Sequence, residues 1–369
     1  MNVAMVAGSY PPMRCGIGDY TRELCGALAR AGVEPTVEPP PGPAAPFGWT
    51  FRDVRRLVAG IAALRPDVVH VQYPGRGYRN RIAPTFFGAL WRSGGSGAPL
   101  VVTLHEFRIA HPLRKLAALN LARGASALIV PASTERASLL RTGLLSGTPV
   151  TVVPIGSNIP LHPLTAERRR SLRASWGAGD GDVVLCYFGF VQRNKDVPRL
   201  RAAFARAREQ DLGLRLVLIG ESAGTPPAGV TAAGYLPAEQ VSECLSASDL
   251  CVLPYVDGVS ARRGTFWAAL EHGLPVVTTA AGAEPAAMGL EHGRNVWLVS
   301  ARGSAEELAG AIVTLARSPE LRAKLGVGGR ALGAANGWDE VARRTVEVYD
   351  SVIGRASESR PLSAARGPR

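Results

Sequence analysis

Val183-Val-Leu-Cys-Tyr-Phe-Gly-Phe-Val191 is followed at once by the polar Gln192-Arg-Asn-Lys-Asp196 and then by a helix-like segment, and this order decides the fold. A short apolar run bounded by turn residues suits a strand buried on both faces, and such strands belong to parallel sheets covered by helices. The same unit recurs along the chain. Val3–Ala7, Val68–Tyr73, Leu100–His105, Ala127–Ala132 and Val150–Ile155 form one set of strands. Leu214–Gly220, Val230–Leu236, Leu250–Tyr255, Leu274–Thr279 and Val296–Val299 join Val183–Phe190 in a second. Helix-like segments alternate with both sets, so the sequence predicts an α/β chain of two tandem, doubly wound parallel sheets.

Between the sets, Gly156–Asp182 holds prolines, a basic helix-like piece (Ala166–Ser175) and a Gly-Ala-Gly-Asp-Gly-Asp turn. This stretch reads as the interdomain connection and puts the boundary near residue 160, with domains at 1–160 and 161–335. Further helix-like segments follow at Ser304–Ser318, Pro319–Gly333 and Trp338–Ile353, and the polar 355–369 is expected to be a disordered tail. Open parallel sheets bind ligands beyond the C-terminal ends of their strands, and two of them face to face would enclose a central cleft.

Composition narrows the function. With 369 residues, 46% apolar, 20% charged and five cysteines, the chain is no collagen, coiled coil, wholly disordered protein or disulfide framework. No apolar run approaches the roughly 18 residues of a membrane span. Met1-Asn-Val-Ala-Met-Val-Ala-Gly8 reads as a first strand rather than a secretory signal, so a cytoplasmic protein with reduced thiols is expected. The net charge of +12 comes almost entirely from dispersed Arg, with Lys only at 115, 195 and 324. That dispersal disfavours nucleic acid and leaves phosphates as the natural anionic partners.

Four places carry groups able to do chemistry. Gly16 and Gly18, just after the first strand, allow close backbone approach at a helix start, although Thr21 breaks the complete Gly-x-Gly-x-x-Gly pattern and disfavours a nicotinamide enzyme. His105 closes the strand Leu100–Leu104 beside Glu106, where an imidazole can donate to a ligand oxygen. Arg193 and Lys195 follow the first strand of the second set and suit a phosphate. Ser260, Arg262, Arg263, Gly264 and Thr265 precede a helix start and form the strongest candidate cradle for a diphosphate. Asp180-Gly-Asp182 matches an acidic metal motif but sits in the Gly-rich connector and reads as a turn, so no metal and no cofactor are expected.

Taken in order, Met5-Val-Ala-Gly-Ser-Tyr-Pro-Pro with Cys15-Gly-Ile-Gly-Asp-Tyr-Thr, Asp67-Val-Val-His-Val-Gln-Tyr, Thr103-Leu-His105, Val153-Pro-Ile-Gly156, Gly189 with Lys195, Leu218-Ile-Gly220, Asp249 with Pro254, and Gly273-Leu-Pro-Val-Val-Thr-Thr resemble the retaining GT-B glycosyltransferases of family 4. The resemblance spans residues 1 to about 353. It implies two Rossmann-like domains, an N-terminal one for the acceptor and a C-terminal one for a nucleotide-diphosphate sugar, with a last helix (336–354) crossing back to the first. It also implies metal-independent transfer with retention to a small-molecule or lipid-linked acceptor. His105 would contact the transferred sugar, Lys195 the diphosphate, Gly16 and Gly18 the sugar-phosphate side, and Gly234, Tyr235 and Leu236 the base. Asp19, Tyr73 and Glu106 are assigned to the acceptor.

The chain departs from the family at instructive positions. The usual Glu-x7-Glu pair falls on Ser260 and Ala268, and the Arg expected after the first-strand glycine is Phe190. Arg262 or Arg263 is expected to replace the missing phosphate cation, and Glu271 to reach the ribose. Two alternatives stand beside the enzyme: a catalytically silent nucleotide-sugar binder or partner subunit, and a peripheral membrane enzyme whose Arg79–Trp91 segment makes a weak contact with anionic lipid.

Overall fold

The computed structural model describes every residue except 14, 40–46, 75, 95–96, 191–193, 211–212, 221–224 and 359–369. The chain divides into two compact units, Met1–Pro154 with Trp338–Arg369, and Ile155–Gly337.

In the first unit six strands run parallel: β1 (Asn2–Ala7), β2 (Glu34–Glu38), β3 (Val68–Tyr73), β4 (Leu100–Leu104), β5 (Ala127–Val130) and β6 (Val150–Val152). Their order is β2-β1-β3-β4-β5-β6, so the winding reverses between β1 and β3. One sheet face is covered by helix Phe51–Leu64 and its neighbours. That helix starts in a capping box between Thr50 and Asp53 and buries Val54, Leu57, Val58 and Ile61, the spacing of a single apolar stripe. Helices Gly16–Arg30 and Trp338–Glu358 pack against each other in this unit.

The second unit holds β7 (Val183–Phe188), β8 (Leu214–Ile219), β9 (Val230–Gly234), β10 (Leu250–Leu253), β11 (Val276–Ala280) and β12 (Trp297–Ser300). They are parallel in the order β12-β11-β10-β7-β8-β9. This is the doubly wound Rossmann order, with its reversal between β7 and β10, and loops leaving strands at such a point are where ligands bind.

Two expectations need correction, and one strand was not expected. The unit boundary falls at 154/155 rather than near 160, because the Ile155 N–H already donates to the Ala261 carbonyl at 3.4 Å. The last helix runs from Trp338 to Glu358 rather than 336–354, so residues 355–358 are helical and the rest of the expected tail lies outside the described residues. Val348, Tyr349 and Val352 extend its buried stripe, and no proline intervenes before Pro361. Strand β2, Glu34-Pro-Thr-Val-Glu38, was invisible to an apolar pattern because an edge strand tolerates charge and proline.

Candidate functional site

The loops after β7 and β10 are zipped together at the switch point of the second sheet. Lys195 and Tyr255 form an antiparallel bridge, Asp196 N–H donates to Pro254 O at 3.1 Å, and Val256 N–H donates to Asn194 O at 3.0 Å. This pairing turns the Lys195 ammonium back over the end of β7, 5.6 Å from the centre of the Tyr187 ring. A Cβ at Gly189, whose φ is +131°, would lie 2.0 Å from that nitrogen. Glycine is needed there for conformation and for room.

Asp257 organises the cations of the second loop. One carboxylate oxygen pairs with Arg263 at 2.5 Å and the other with Arg262 at 2.8 Å. The Arg263 guanidinium also lies 4.5 Å from the centre of the Tyr255 ring, and the Tyr255 hydroxyl bonds to Thr265 at 3.0 Å. Burial, and secondarily Arg263, push the Lys195 ammonium down to about 8. Lys195, Arg262 and Arg263 cluster here around Asp257, while the neighbouring Asp196 carboxylate turns away to accept the Arg199 N–H of the following helix. Helix Gly264–Glu271 begins beside them, and among the described residues no side chain caps its first turn. A helix start without a side-chain cap, set beside clustered cations, is the kind of place where anions bind.

The structure brings Lys195, Ser260, Arg262, Arg263, Gly264 and Thr265 of the expected cradle to the ends of β7 and β10. Ser260 is buried, and its hydroxyl accepts the Arg262 N–H at 3.4 Å. Arg262 and Arg263 are held by Asp257, a partner that the sequence reading did not single out, although an Asp five and six residues before two Arg is a legible signal. Arg193 lies outside the described residues. Glu271 sits two turns along the same helix face as Gly264. Burial raises its carboxyl to about 7, and it accepts a hydrogen bond from the Ser157 backbone. Asp182 accepts the Gly179 N–H at 3.0 Å and pairs with Arg215 at 3.3 Å, the bonding of a turn.

Beside the cradle, β7, β8 and β9 end level with one another. Gly220 N–H donates to Gly234 O at 2.8 Å, and a Cβ at Gly220 would meet the Gly189 carbonyl oxygen at 2.4 Å. The residues that follow the outer two glycines, Phe190 and Tyr235, stack at 6.1 Å and 17° with relative exposures of 48% and 57%. Leu236 behind them is half-buried. Phe190 is where sequence reasoning saw a missing arginine; the structure gives it an aromatic partner 45 residues away.

In the first unit, the C-terminal ends of β1, β3 and β4 carry the other candidates. His105 is 8% exposed, its backbone N–H donates to Tyr73 O at 2.8 Å, and its ring meets Tyr20 edge-on at 4.7 Å. Burial lowers the imidazole to about 3, so the ring is neutral at physiological pH. Its Nε2 lies 2.9 Å from Gln72 Oε1. Glu106 is exposed, Tyr73 is buried at the end of β3, and burial raises the carboxyl of half-buried Asp19. Gly16 opens helix Gly16–Arg30 with space around it, whereas a Cβ at Gly18 would press on the Ser9 backbone at 3.2 Å. That close approach to the backbone favours glycine at 18. Glu135, wholly buried, accepts the Phe107 and Arg108 N–H groups at 2.9 and 2.6 Å and so pins the loop after His105; sequence reasoning passed over it.

Comparison with known proteins agrees with this architecture. Residues 15–159 match the model of Glycosyltransferase Family 4, and residues 182–318 match that of Glycosyl transferases group 1. The chain is similar to D-inositol 3-phosphate glycosyltransferases of Pseudarthrobacter chlorophenolicus (27% identical; 92% of this chain, 91% of the relative) and Segniliparus rotundus (24%; 95% and 88%). Among solved structures it is similar to sucrose-phosphate synthase from Thermosynechococcus elongatus (TM-score 0.70, 20% identical, 96% of this chain and 100% of that one). It is also similar to Anabaena HepE in complex with UDP and glucose (TM-score 0.70, 18%, 95% and 100%). Two family models in sequence order, over two six-stranded parallel sheets, place the chain among the family 4-like glycosyltransferases of the GT-B fold.

Proposed function

We propose that the chain transfers a hexose-like sugar from a nucleotide-diphosphate sugar to a small-molecule or lipid-linked acceptor, in the cytoplasm, with retention and without metal. The observation that carries this reading is the convergence of Lys195, Arg262 and Arg263 on the uncapped start of helix Gly264–Glu271. A departing diphosphate gains negative charge in the transition state, and fixed cations and backbone N–H groups stabilise it without reorganising. That supply of charge from the protein supports a metal-independent reaction. The UDP complexes among the similar structures support the donor class, and the name of the curated relatives supports a small phosphorylated polyol as one kind of acceptor. The donor's own phosphate would take the acceptor proton, His105 would contact the transferred sugar, and Glu271 the ribose.

The test is thermal denaturation with UDP, GDP, ADP and dTDP, with and without Mg2+. A rise in Tm with one nucleotide, unchanged by the metal, is expected, since a ligand of the native state stabilises it by mass action. No shift with any of them, or a shift only with Mg2+, would overturn the reading. Arg263→Ala is expected to weaken that nucleotide; unchanged affinity would remove Arg263 from the site.

A lipid-linked acceptor is favoured by one surface of the first unit. Ile82, Phe86, Phe51, Leu113 and Leu116 are exposed on adjoining elements, with Phe51 and Phe86 5.2 Å apart. Arg52, Arg55, Arg56, Arg81 and Arg114 share those segments. Within Arg79–Trp91 a short turn of 3-10 helix at Ala83–Phe86 precedes a helix that begins at Phe87. Apolar side chains ringed by arginine suit an anionic bilayer surface. Flotation with phosphatidylglycerol vesicles but not with phosphatidylcholine vesicles is expected; recovery of all protein in the soluble fraction with both would exclude this arm.

A further inference from the structure

His70 and Gln72 stand on the same face of β3 and are wholly buried, so their polar atoms must find partners inside the unit. Gln72 Nε2 lies 3.2 Å from the Met5 sulfur and 3.2 Å from His70 Nε2. A thioether has no hydrogen to give, so the amide nitrogen, and not the oxygen, belongs on that side. His70 Nε2 must then be the unprotonated nitrogen of its ring. Thr103 Oγ1 donates to the same atom at 2.7 Å, and the His70 proton sits on Nδ1, donating to the Tyr349 hydroxyl at 2.7 Å. The donations run in one consistent direction, from the end of β4 through Gln72 and His70 of β3 to Tyr349 on helix Trp338–Glu358.

The carboxamide oxygen of Gln72 is left facing His105 Nε2 at 2.9 Å, and an oxygen there requires an Nε2–H. The His105 ring is neutral, so its Nδ1 carries a lone pair and no hydrogen. The sequence expectation of an imidazole that donates to a ligand is thereby reversed: the donating nitrogen is spent on Gln72, and the nitrogen left for a ligand can only accept.

We propose that Gln72, oriented by Met5 and His70, is a positioning residue that fixes the tautomer of His105 and thereby selects a transferred sugar that donates a hydroxyl hydrogen to His105 Nδ1. This inference rests on the proposed contact between His105 and the sugar. A deoxy or O-methyl sugar at that position would leave a desolvated lone pair without a donor, which is the kind of mismatch that specificity is built on.

Two measurements on the full chain test it. In long-range 1H–15N spectra of protein labelled at its six histidines, with His70→Asn and His105→Gln for assignment, His105 is expected as the Nε2–H tautomer and His70 as the Nδ1–H tautomer. An Nδ1–H or doubly protonated His105 at pH 7 would overturn the proposal whether or not any sugar binds. Second, kcat/KM for a nucleotide hexose is compared with analogues lacking one hydroxyl at a time. The native protein is expected to disfavour one analogue by about tenfold or more. Gln72→Leu is expected to reduce that preference to about twofold, with affinity for the free nucleotide diphosphate unchanged. Tyr349→Phe, a smaller change, is expected to erode the preference in the same direction while the protein stays folded. Full preference retained in a folded Gln72→Leu or Tyr349→Phe protein would overturn the selection. Absence of binding by every nucleotide would instead overturn the functional reading, and the spectrum would still decide the tautomer.

Discussion

Gly189 and Lys195 are fitted to each other: a Cβ on the residue that follows β7 would lie 2.0 Å from the ammonium nitrogen of the lysine at the end of its loop. The backbone of Gly189, at φ +131°, is also one that side chains rarely adopt. Gly189→Ala is therefore expected to displace Lys195, weaken nucleotide-diphosphate binding more than tenfold and lower stability by about 1–3 kcal/mol. Calorimetric titration and thermal denaturation of the variant check both numbers.

Burying the Lys195 ammonium costs stability. Its ammonium is held near 8 in the folded protein against an ordinary 10.5, so the unfolded chain holds the proton more tightly and burial costs stability below pH 8. That cost fades as pH rises from about 8 to 10.5. Lys195→Met is expected to raise the stability of the ligand-free protein at pH 7 by about 1–2 kcal/mol, with the gain shrinking toward pH 10, and to abolish most nucleotide-diphosphate affinity. In the native protein that affinity should fall as pH climbs past 8, and in the variant it should not; binding titrations across pH 6.5–9.5 read this directly.

Asp257 keeps two nearly buried guanidiniums side by side. Asp257→Asn removes the only carboxylate of that trio and leaves like charges facing each other, a change expected to cost about 2–4 kcal/mol in the ligand-free state. Inorganic pyrophosphate should restore much of the loss, so its stabilising shift in Tm is expected to be larger for the variant than for the native chain. A smaller shift would mean that the arginines do not meet the anion.

Phe190 and Tyr235 expose a stacked pair of rings where a base or sugar could lie flat. Base stacking on an aromatic ring is worth about 1–3 kcal/mol, so Phe190→Ala and Tyr235→Ala are each expected to weaken the nucleotide diphosphate by about tenfold and to leave pyrophosphate affinity alone. Equal losses for both ligands would point to a collapsed loop instead of a lost platform.

Much of this was legible in the residues themselves. Strand runs such as Val183–Phe188 and Ala127–Val130 declare themselves because burial on both faces demands continuous apolar side chains. Lys195, Arg262, Arg263 and Gly264 could be nominated because loops at strand ends and helix starts are where anions bind, and both features are local in sequence. The ends of elements were less legible, since the last turn of helix Trp338–Glu358 depends on what packs beneath it.

The sequence by itself determined the two parallel-sheet units, their alternation of strand and helix, and the loops in which cations and His105 would be found, because those follow from residue type and period alone. Tertiary structure decided which partner each group meets. His70 faces Tyr349 from 279 positions away, and Gln72 faces His105 across 33. Periodicity tells which face a side chain takes but not what a crossing helix or neighbouring strand sets opposite it. The proton on His105, and with it what the imidazole can recognise, is therefore a property of the folded sheet and of the helix that packs on it.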